Sequence, residues 1–471
     1  MPIDRSVPTK RAKKSALRVR PVVRPDAAGI DLGATLHVVA VPPERDPESV
    51  RTFATDTAAL QALADWLIQC GVRTVAMEAT GVYWIPLFQV LEARGLEVCL
   101  VNARHVKNVP GRKTDVLDCQ WLQYLHAVGL LHASFRPPAA VCAVRSLVRH
   151  RESLVHTGCE HLLRVQKALD QMNVQVHRAV SDITGETGLA ILDAIVAGER
   201  DPAVLARLRN YRCRKSEAEI ATALQGDWRP EHLFTLRQSL EAWRYHQKLV
   251  AECETEMQTL MSALATETNA APPPPAKRST QPNEPVRQML FAKFGVDLTA
   301  VDGVAAQTGL VFLSEVGPDV SKFPTAEHFA SWLGLCPDNR ISGGHQLAVS
   351  TRPVANRLTT ALRMGAQTLH RSESALGDFF RRMRAKLGAP AAITATAHKI
   401  ARVLWAMVKY RRPFDPAKLG NPELRRRRKE RSLRRQAAAL GFTLQPLQTD
   451  AVSQSGVAGT KGLWEDWGHA R

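Results

Sequence analysis

Between Ala27 and Val128 the sequence alternates short apolar runs with stretches of helical spacing, and this alternation limits the fold more than any other feature. Gly29-Ile30-Asp31-Leu32-Gly33 and then His37 to Val41 read as a first strand and its continuation across a turn. Val50 to Ala54 reads as another strand, and Thr57 to Cys70, with Leu60, Leu63, Ala64 and Leu67 at helical spacing, as a helix. Thr74 to Met77 is a short buried-type strand ending at Glu78. Pro86 to Arg94 predicts a helix, Glu97 to Val101 a strand, and Thr114 to Val128 a helix with Thr114 as N-cap. A chain that switches this often between periods of about 2 and 3.6 residues builds a sheet and covers it with helices.

The pattern then changes. Residues 139–270 read almost wholly helical, interrupted near Gly185 and Gly188, and Glu231 to Leu264 has near-heptad apolar spacing that predicts an exposed hairpin or coiled coil. Residues 271–285, rich in proline, read as an extended linker. The expected domains are therefore a basic tail at 1–25, an α/β domain at 26–138, a helical middle section at 139–270, the linker at 271–285, a mostly helical domain at 286–412 and a basic flexible tail at 413–471.

Charge narrows the partner. The 471 residues carry a formal net charge of +18. Residues 1–25 hold +7 and residues 413–471 hold +5, so the two tails supply +12 of it, densest at Arg425–Lys429 with Arg431, Arg434 and Arg435. Such stretches condense on phosphates without sequence preference and point to nucleic acid. No run of 18 apolar residues is present, so no membrane span is expected, and the basic N-terminus lacks the apolar core of a secretory leader. The eight cysteines are scattered with no Cys-x-x-Cys pair, which argues against a zinc ribbon or disulfide scaffold and suits a reducing cytosol.

Four acids stand out by position: Asp31 in the first strand between two glycines, Glu78 at the end of a later strand, and Asp115 with Asp118 on one helix face. Taken singly, each is ordinary, since a strand-end Asp is often a cap and an Asp pair three apart is usually a solvated face. Converging, they would make a hard-oxygen site for Mg²⁺, and two such ions about 4 Å apart can clamp both oxygens of a phosphoryl transfer.

The succession Gly-Ile-Asp-Leu-Gly, Met-Glu-Ala-Thr-Gly-Val-Tyr-Trp, Val-Asn-Ala-Arg-His-Val-Lys-Asn and Lys-Thr-Asp-Val-Leu-Asp resembles the DEDD insertion-sequence transposases, which include the Piv-type invertases and the bridge-RNA-guided recombinases. The resemblance runs from Gly29 to about Leu131. It implies a RuvC-like N-terminal domain of the ribonuclease H fold. Asp31, Glu78, Asp115 and Asp118 would be its metal-binding carboxylates, for Mg²⁺ or Mn²⁺, and Arg112 and Lys113 would lie near a scissile phosphate. Cys119, after the last acid, is expected to be a buried structural cysteine.

The resemblance extends to the C-terminal domain. Val301-Asp302-Gly303-Val304-Ala305 followed by Leu313-Ser314-Glu315-Val316-Gly317 looks like a helix–hairpin–helix phosphate-contacting element, with Ala305 in place of a usual glycine. In Arg340-Ile341-Ser342-Gly343-Gly344-His345 the family's catalytic serine falls on Ser342, with Gly343 and Gly344 allowing close backbone approach to a phosphate. Seen in isolation, Ser-Gly-Gly is an ordinary turn, and Ser350 is a weaker candidate. The chain departs from the family where it has His345 for a lysine, and Thr351-Arg352-Pro353 for Lys-Arg-Gly; Arg352 keeps one cation, and Arg340 supplies another.

The resemblance implies a recombinase that cuts and rejoins DNA. Ser342 would form a covalent phosphoserine intermediate, and the carboxylates and the serine would meet in a composite site of a homodimer or homotetramer. An element-encoded guide RNA would choose the DNA, in the bacterial cytoplasm or nucleoid. The other readings are a RuvC-like metal-dependent nuclease in which Ser342 is only a turn, and an inactive nucleic-acid-binding relic.

Overall fold

The structure is a computed structural model that describes residues 21–79, 81–102, 115–274, 284–343, 345–348, 350–419 and 422–445. The chain divides into two compact units, residues 1–136 and 137–471.

The first unit is a five-stranded sheet with helices on both faces. Its elements are β1 (Ala27–Leu32), β2 (Leu36–Ala40), β3 (Val50–Ala54), α1 (Thr57–Gln69), β4 (Thr74–Glu78), α2 (Trp84–Ala93), β5 (Glu97–Val101) and α3 (Asp115–Ala127). The sheet order is β3-β2-β1-β4-β5. β1, β2 and β3 form an antiparallel meander, while β4 and β5 run parallel to β1. The Gly33 amide donates to the Leu36 carbonyl at 2.9 Å and closes the turn from β1 to β2. The Asp56 carboxylate accepts the Ala59 amide at 3.0 Å and caps α1.

Strand alternation sorts the side chains onto two cores. Ile30, Val39, Val75, Met77 and Leu100 face α1 and α2, where Leu63, Leu67, Leu87 and Leu91 are fully buried. Ala76, Cys99 and Val101 point to the opposite face, onto Leu122 and Leu125 of α3. The expected strands appear at their expected places. Helix α2 begins two residues ahead of Pro86, because a proline in the first turn loses no intrahelical hydrogen bond. The expected N-cap Thr114 falls outside the described residues.

The second unit opens with two long helices, α4 (Ala139–Gln171) and α9 (Pro230–Ala263). They run antiparallel. The Cys253 thiol donates to the Leu147 carbonyl at 3.5 Å, Arg151 pairs with Glu254 at 2.6 Å, and Gly158 lies against His246. The far end of this hairpin is closed by four short helices, α5 (Val176–Ala179), α6 (Glu186–Ala197), α7 (Pro202–Arg207) and α8 (Glu217–Ala223). Ile191, Leu192, Ile195, Leu205 and Ile220 make a core there with Val165, Leu169, Leu236 and Leu240. Gly188 lies within α6, where a Cβ would stand 2.4 Å from the Ile183 carbonyl oxygen; close approach explains this glycine better than a break does.

The rest is a helical body made of α10 (Glu284–Phe294), α11 (Ala306–Glu315), α12 (Ala326–Trp332), α13 (Arg357–Thr368), α14 (Ala375–Leu387) and α15 (Ala389–Tyr410). Phe294, Phe312, Phe323 and Phe329 pack ring against ring in its centre. Gly303, at φ +83°, lies back to back with Gly365 of α13; a Cβ on either would strike the other's carbonyl oxygen. The body grips the foot of the helix hairpin through Glu315, whose carboxylate takes Arg149 at 2.9 Å and Arg145 at 3.4 Å.

Two features correct the sequence reading. Within 413–471, read as a flexible tail, Pro422–Ala439 forms a helix, α16; proline opens it, and Glu430 pairs with Arg434 one turn on at 2.6 Å. The linker also ends sooner, since Glu284 and Pro285 already belong to α10.

Candidate functional site

The parallel pairing of β1 with β4 sets Ile30 opposite Met77, and one step further along the same register places Asp31 beside Glu78. Both side chains follow the alternation of Gly29 and Ala76, so both project from the face that α3 covers. What brings α3 down onto that face is Gly29. A Cβ there would sit 2.3 Å from the Gln123 amide nitrogen and 2.4 Å from the Cys119 carbonyl oxygen, so only hydrogen lets helix backbone meet strand backbone. Two side chains pin the contact: Gln123 Nε2 donates to the Ala27 carbonyl at 3.2 Å, and His126 Nε2 lies 2.8 Å from Thr74 Oγ1.

This docking sets Cys119, the residue after Asp118, within the field of Asp31 on the sheet. One Asp118 carboxylate oxygen is shielded from solvent. Cys119, completely buried beside it, reports the shared field. Burial pushes its thiol up to about 11, and the negative charges of Asp31 and Asp118 both push in the same direction. The cysteine therefore stays protonated at neutral pH, inert as the sequence leads one to expect.

Asp31 and Glu78 thus share the sheet face that α3 covers, Asp118 lies on α3 itself, and Asp115 begins that helix one turn before it. The chemistry of this donor set suits a hard divalent cation, because the acids are oxygen donors and the one neighbouring sulfur is kept from becoming a thiolate. Among the described residues no three His, Cys, Asp or Glu side chains already form a metal-holding group. The side chain of Asp115, together with Arg112 and Lys113, lies outside the described residues.

Ser342 belongs to the second unit. Arg340–Ser342 and His345–Ala348 form a two-stranded antiparallel hairpin, β6 and β7, in a body otherwise built of helices. Ser342 and His345 are the pair that closes the turn, and both are exposed. Gly343 holds φ +56° with open space around its Cβ position, as a two-residue hairpin turn requires. The register slips between Arg340 and Ile341, an irregularity that twists such ribbons. Gly344 and the Arg340 side chain lie outside the described residues. Arg352 is exposed, and its guanidinium donates to the Ser331 carbonyl at 2.9 Å, tying the segment after the hairpin to the end of α12.

The hairpin went unread in the sequence, although Ile-Ser-Gly-Gly-His-Gln between apolar residues carries the signal, a pair of glycines flanked by strand-forming positions. The role of Gly29 was equally legible only in part: its place beside Asp31 is plain in sequence, whereas its contact with a helix ninety residues later is not.

Comparison with known proteins meets this geometry from outside. A sequence model of DEDD transposases of the IS110 type matches residues 28–174, and that of the Transposase IS116/IS110/IS902 family matches residues 297–381. A probable family 20 transposase of Pseudomonas aeruginosa is 25% identical over 365 residues, covering 75% of this chain and 88% of its own. An uncharacterized 44.8 kDa protein of insertion element IS116 from Streptomyces clavuligerus is 25% identical over 401 residues, covering 83% of this chain and 96% of its own. Such a chain is a transposase of insertion elements. It belongs to the DEDD insertion-sequence transposases of the IS110 type.

Proposed function

We propose that this transposase cuts and rejoins DNA through a RuvC-like carboxylate site and a covalent serine intermediate. The reading is carried by one observation, the strand register that sets Asp31 beside Glu78 on the face over which Gly29 admits α3 and Asp118. Asp31, Glu78, Asp118 and, one turn ahead, Asp115 would hold Mg²⁺ or Mn²⁺. The bound ion supplies charge stabilisation to a phosphate that gains charge in the transition state.

The chain's own contribution is nucleophilic. Ser342 Oγ forms a bond to phosphorus while a phosphorus–oxygen bond of the DNA backbone breaks, and the freed sugar oxygen takes up the serine proton. The phosphoserine ester conserves the energy of the broken linkage, so attack by a new sugar hydroxyl rejoins DNA without ATP. Exposure of Ser342 at a hairpin turn supports this role, because a DNA phosphate must reach Oγ. Arg340, Arg352, Gly343 and Gly344 would hold that phosphate, and Arg112 and Lys113 would do so at the carboxylates. The acids and the serine lie far apart in sequence, so we read the site as composite, completed between protomers of a homodimer or homotetramer in the bacterial cytoplasm.

Base choice is assigned to a guide RNA encoded by the element, since base pairing can supply sequence selection that a basic protein lacks. The net charge of +18 suits two polyanionic partners at once. Among the described residues no helix is long and apolar enough to cross a membrane.

The test is denaturing recovery of DNA covalently attached to protein, with the protein expressed beside its native flanking DNA. An adduct in the unsubstituted protein that vanishes in Ser342→Ala and in Asp31→Ala is expected. Metal-dependent cleavage that persists in Ser342→Ala, with no adduct, would replace this reading by a metal-dependent nuclease.

A further inference from the structure

We propose that His345 is the general base that activates Ser342, and the acid that returns the proton to the leaving sugar oxygen. The inference rests on the reading of Ser342 as nucleophile and adds the group that makes a serine hydroxyl competent.

The hairpin supplies the geometry. Ser342 and His345 are directly opposed across the turn, the last pair of β6 and β7 before the two glycines. Opposed residues of an antiparallel pair project from the same face with Cβ atoms roughly 4.5–5.5 Å apart. At that separation an imidazole nitrogen can reach a seryl oxygen by rotation about side-chain bonds alone. The two-residue turn holds the pair together, since neither residue can move along its strand without breaking the register. Both side chains are exposed, so a phosphate can approach the pair from solvent. Among the described residues, no other histidine, aspartate or glutamate lies on the hairpin.

The chemistry needs such a group. A serine hydroxyl is a weak nucleophile unless a neighbour takes its proton, and imidazole does this near neutral pH. The step balances within the site. The Ser342 Oγ–H proton passes to the His345 ring as the Oγ–phosphorus bond forms, and the same proton passes to the sugar oxygen as its bond to phosphorus breaks. Rejoining runs the two transfers in reverse. The turn leaves the approach open at Gly343, where nothing lies within 4 Å of the Cβ position and a side chain would crowd an arriving phosphate.

The experiment measures the rate of adduct formation on a DNA substrate by the full-length protein. Four forms are compared, namely unsubstituted, His345→Ala, Ser342→Cys, and Ser342→Cys with His345→Ala, and Ser342→Ala serves as the blank. Removal of a general base is expected to slow the serine enzyme by about 100-fold or more. A thiol ionises far more readily and leans less on a base, so His345→Ala in the Ser342→Cys background is expected to cost several-fold at most. Added imidazole is expected to restore part of the rate to His345→Ala and none to Ser342→Ala. Equal losses in the serine and cysteine backgrounds, without rescue by imidazole, would mean that His345 only shapes the hairpin, and would overturn the proposal. An unchanged rate in His345→Ala would overturn it as well. Absence of any adduct from the unsubstituted protein and from Ser342→Cys would instead remove the serine reading on which it stands.

Discussion

At the scale of single residues, the carboxylate face depends on a hydrogen atom. Gly29 has no Cβ, and the backbone of α3 occupies the space one would fill. Gly29→Ala is expected to destabilise the first unit by about 1–3 kcal/mol, as overpacking does, and to abolish adduct formation although no acid has changed. Thermal unfolding beside the adduct assay separates the two effects. His126 makes a second residue-scale test. Burial, helped by the Arg24 guanidinium, pushes its imidazole down to about 4. Its folded pKa lies below the ordinary value, so between pH 6.5 and 4 the unfolded chain binds a proton that the native chain refuses. The contribution of neutral His126 is therefore present above pH 6.5 and lost as pH falls toward 4, in total about 3 kcal/mol. Hydrogen exchange over residues 115–127, corrected for intrinsic rates, should reveal progressive loss of protection across that window, and His126→Gln should flatten it.

At the scale of elements, each helix and strand owes its place to a few contacts that can be cut. Glu315 is buried at the junction of α11 with α4 and receives Arg145 and Arg149. Glu315→Ala leaves two guanidinium groups facing an emptied site, and a loss of about 3 kcal/mol is expected from thermal unfolding of the second unit. Arg149→Ala should cost less, since Arg149 is half exposed and Arg145 remains. The same contacts explain which parts of the molecule could be read from sequence. Strands and helices of the first unit were legible because alternation and helical spacing are local. Asp31, Glu78, Asp115 and Asp118 were found by position along those elements. That Asp31 stands beside Glu78 on the face α3 covers was not legible in the residues, because it follows from the β1–β4 register and from Gly29 opposing Cys119 and Gln123. The hairpin at Ser342 was obscured for another reason: three or four residues make too short a run to announce a strand inside a helical stretch. The helix within the C-terminal tail was hidden by its composition, since a segment so basic presents no apolar stripe.

At the scale of the whole molecule, charge and length matter more than any contact. Arg426, Arg427, Arg431, Arg434 and Arg435 are exposed along or around one helix, α16, which lies beyond both segments matched by the family models. If all five meet phosphates, replacing them with Gln should lower the slope of log affinity against log salt by up to about 4.5 for duplex DNA, with little change in which sequence is chosen. Fluorescence anisotropy at several salt concentrations measures it. A fall in the slope confined to RNA would assign the helix to the guide instead.

The two long helices carry a consequence of another kind. Each has about 33 residues and therefore runs about 50 Å, and they turn back so that both feet lie at the end gripped by Glu315. Such a hairpin is long for the small area that holds its foot, where Glu315 and Arg357 grip α4 and Lys293 meets the end of α9. A tilt of only about 5° at the foot sweeps the helical cap through about 4 Å, most of the pitch of a helical turn. Anything that holds the cap still converts motion of the helical body into force on the few contacts at the foot, the Glu315 pairs, Arg357 with Glu152, and Lys293 on the Ser262 and Leu264 carbonyls.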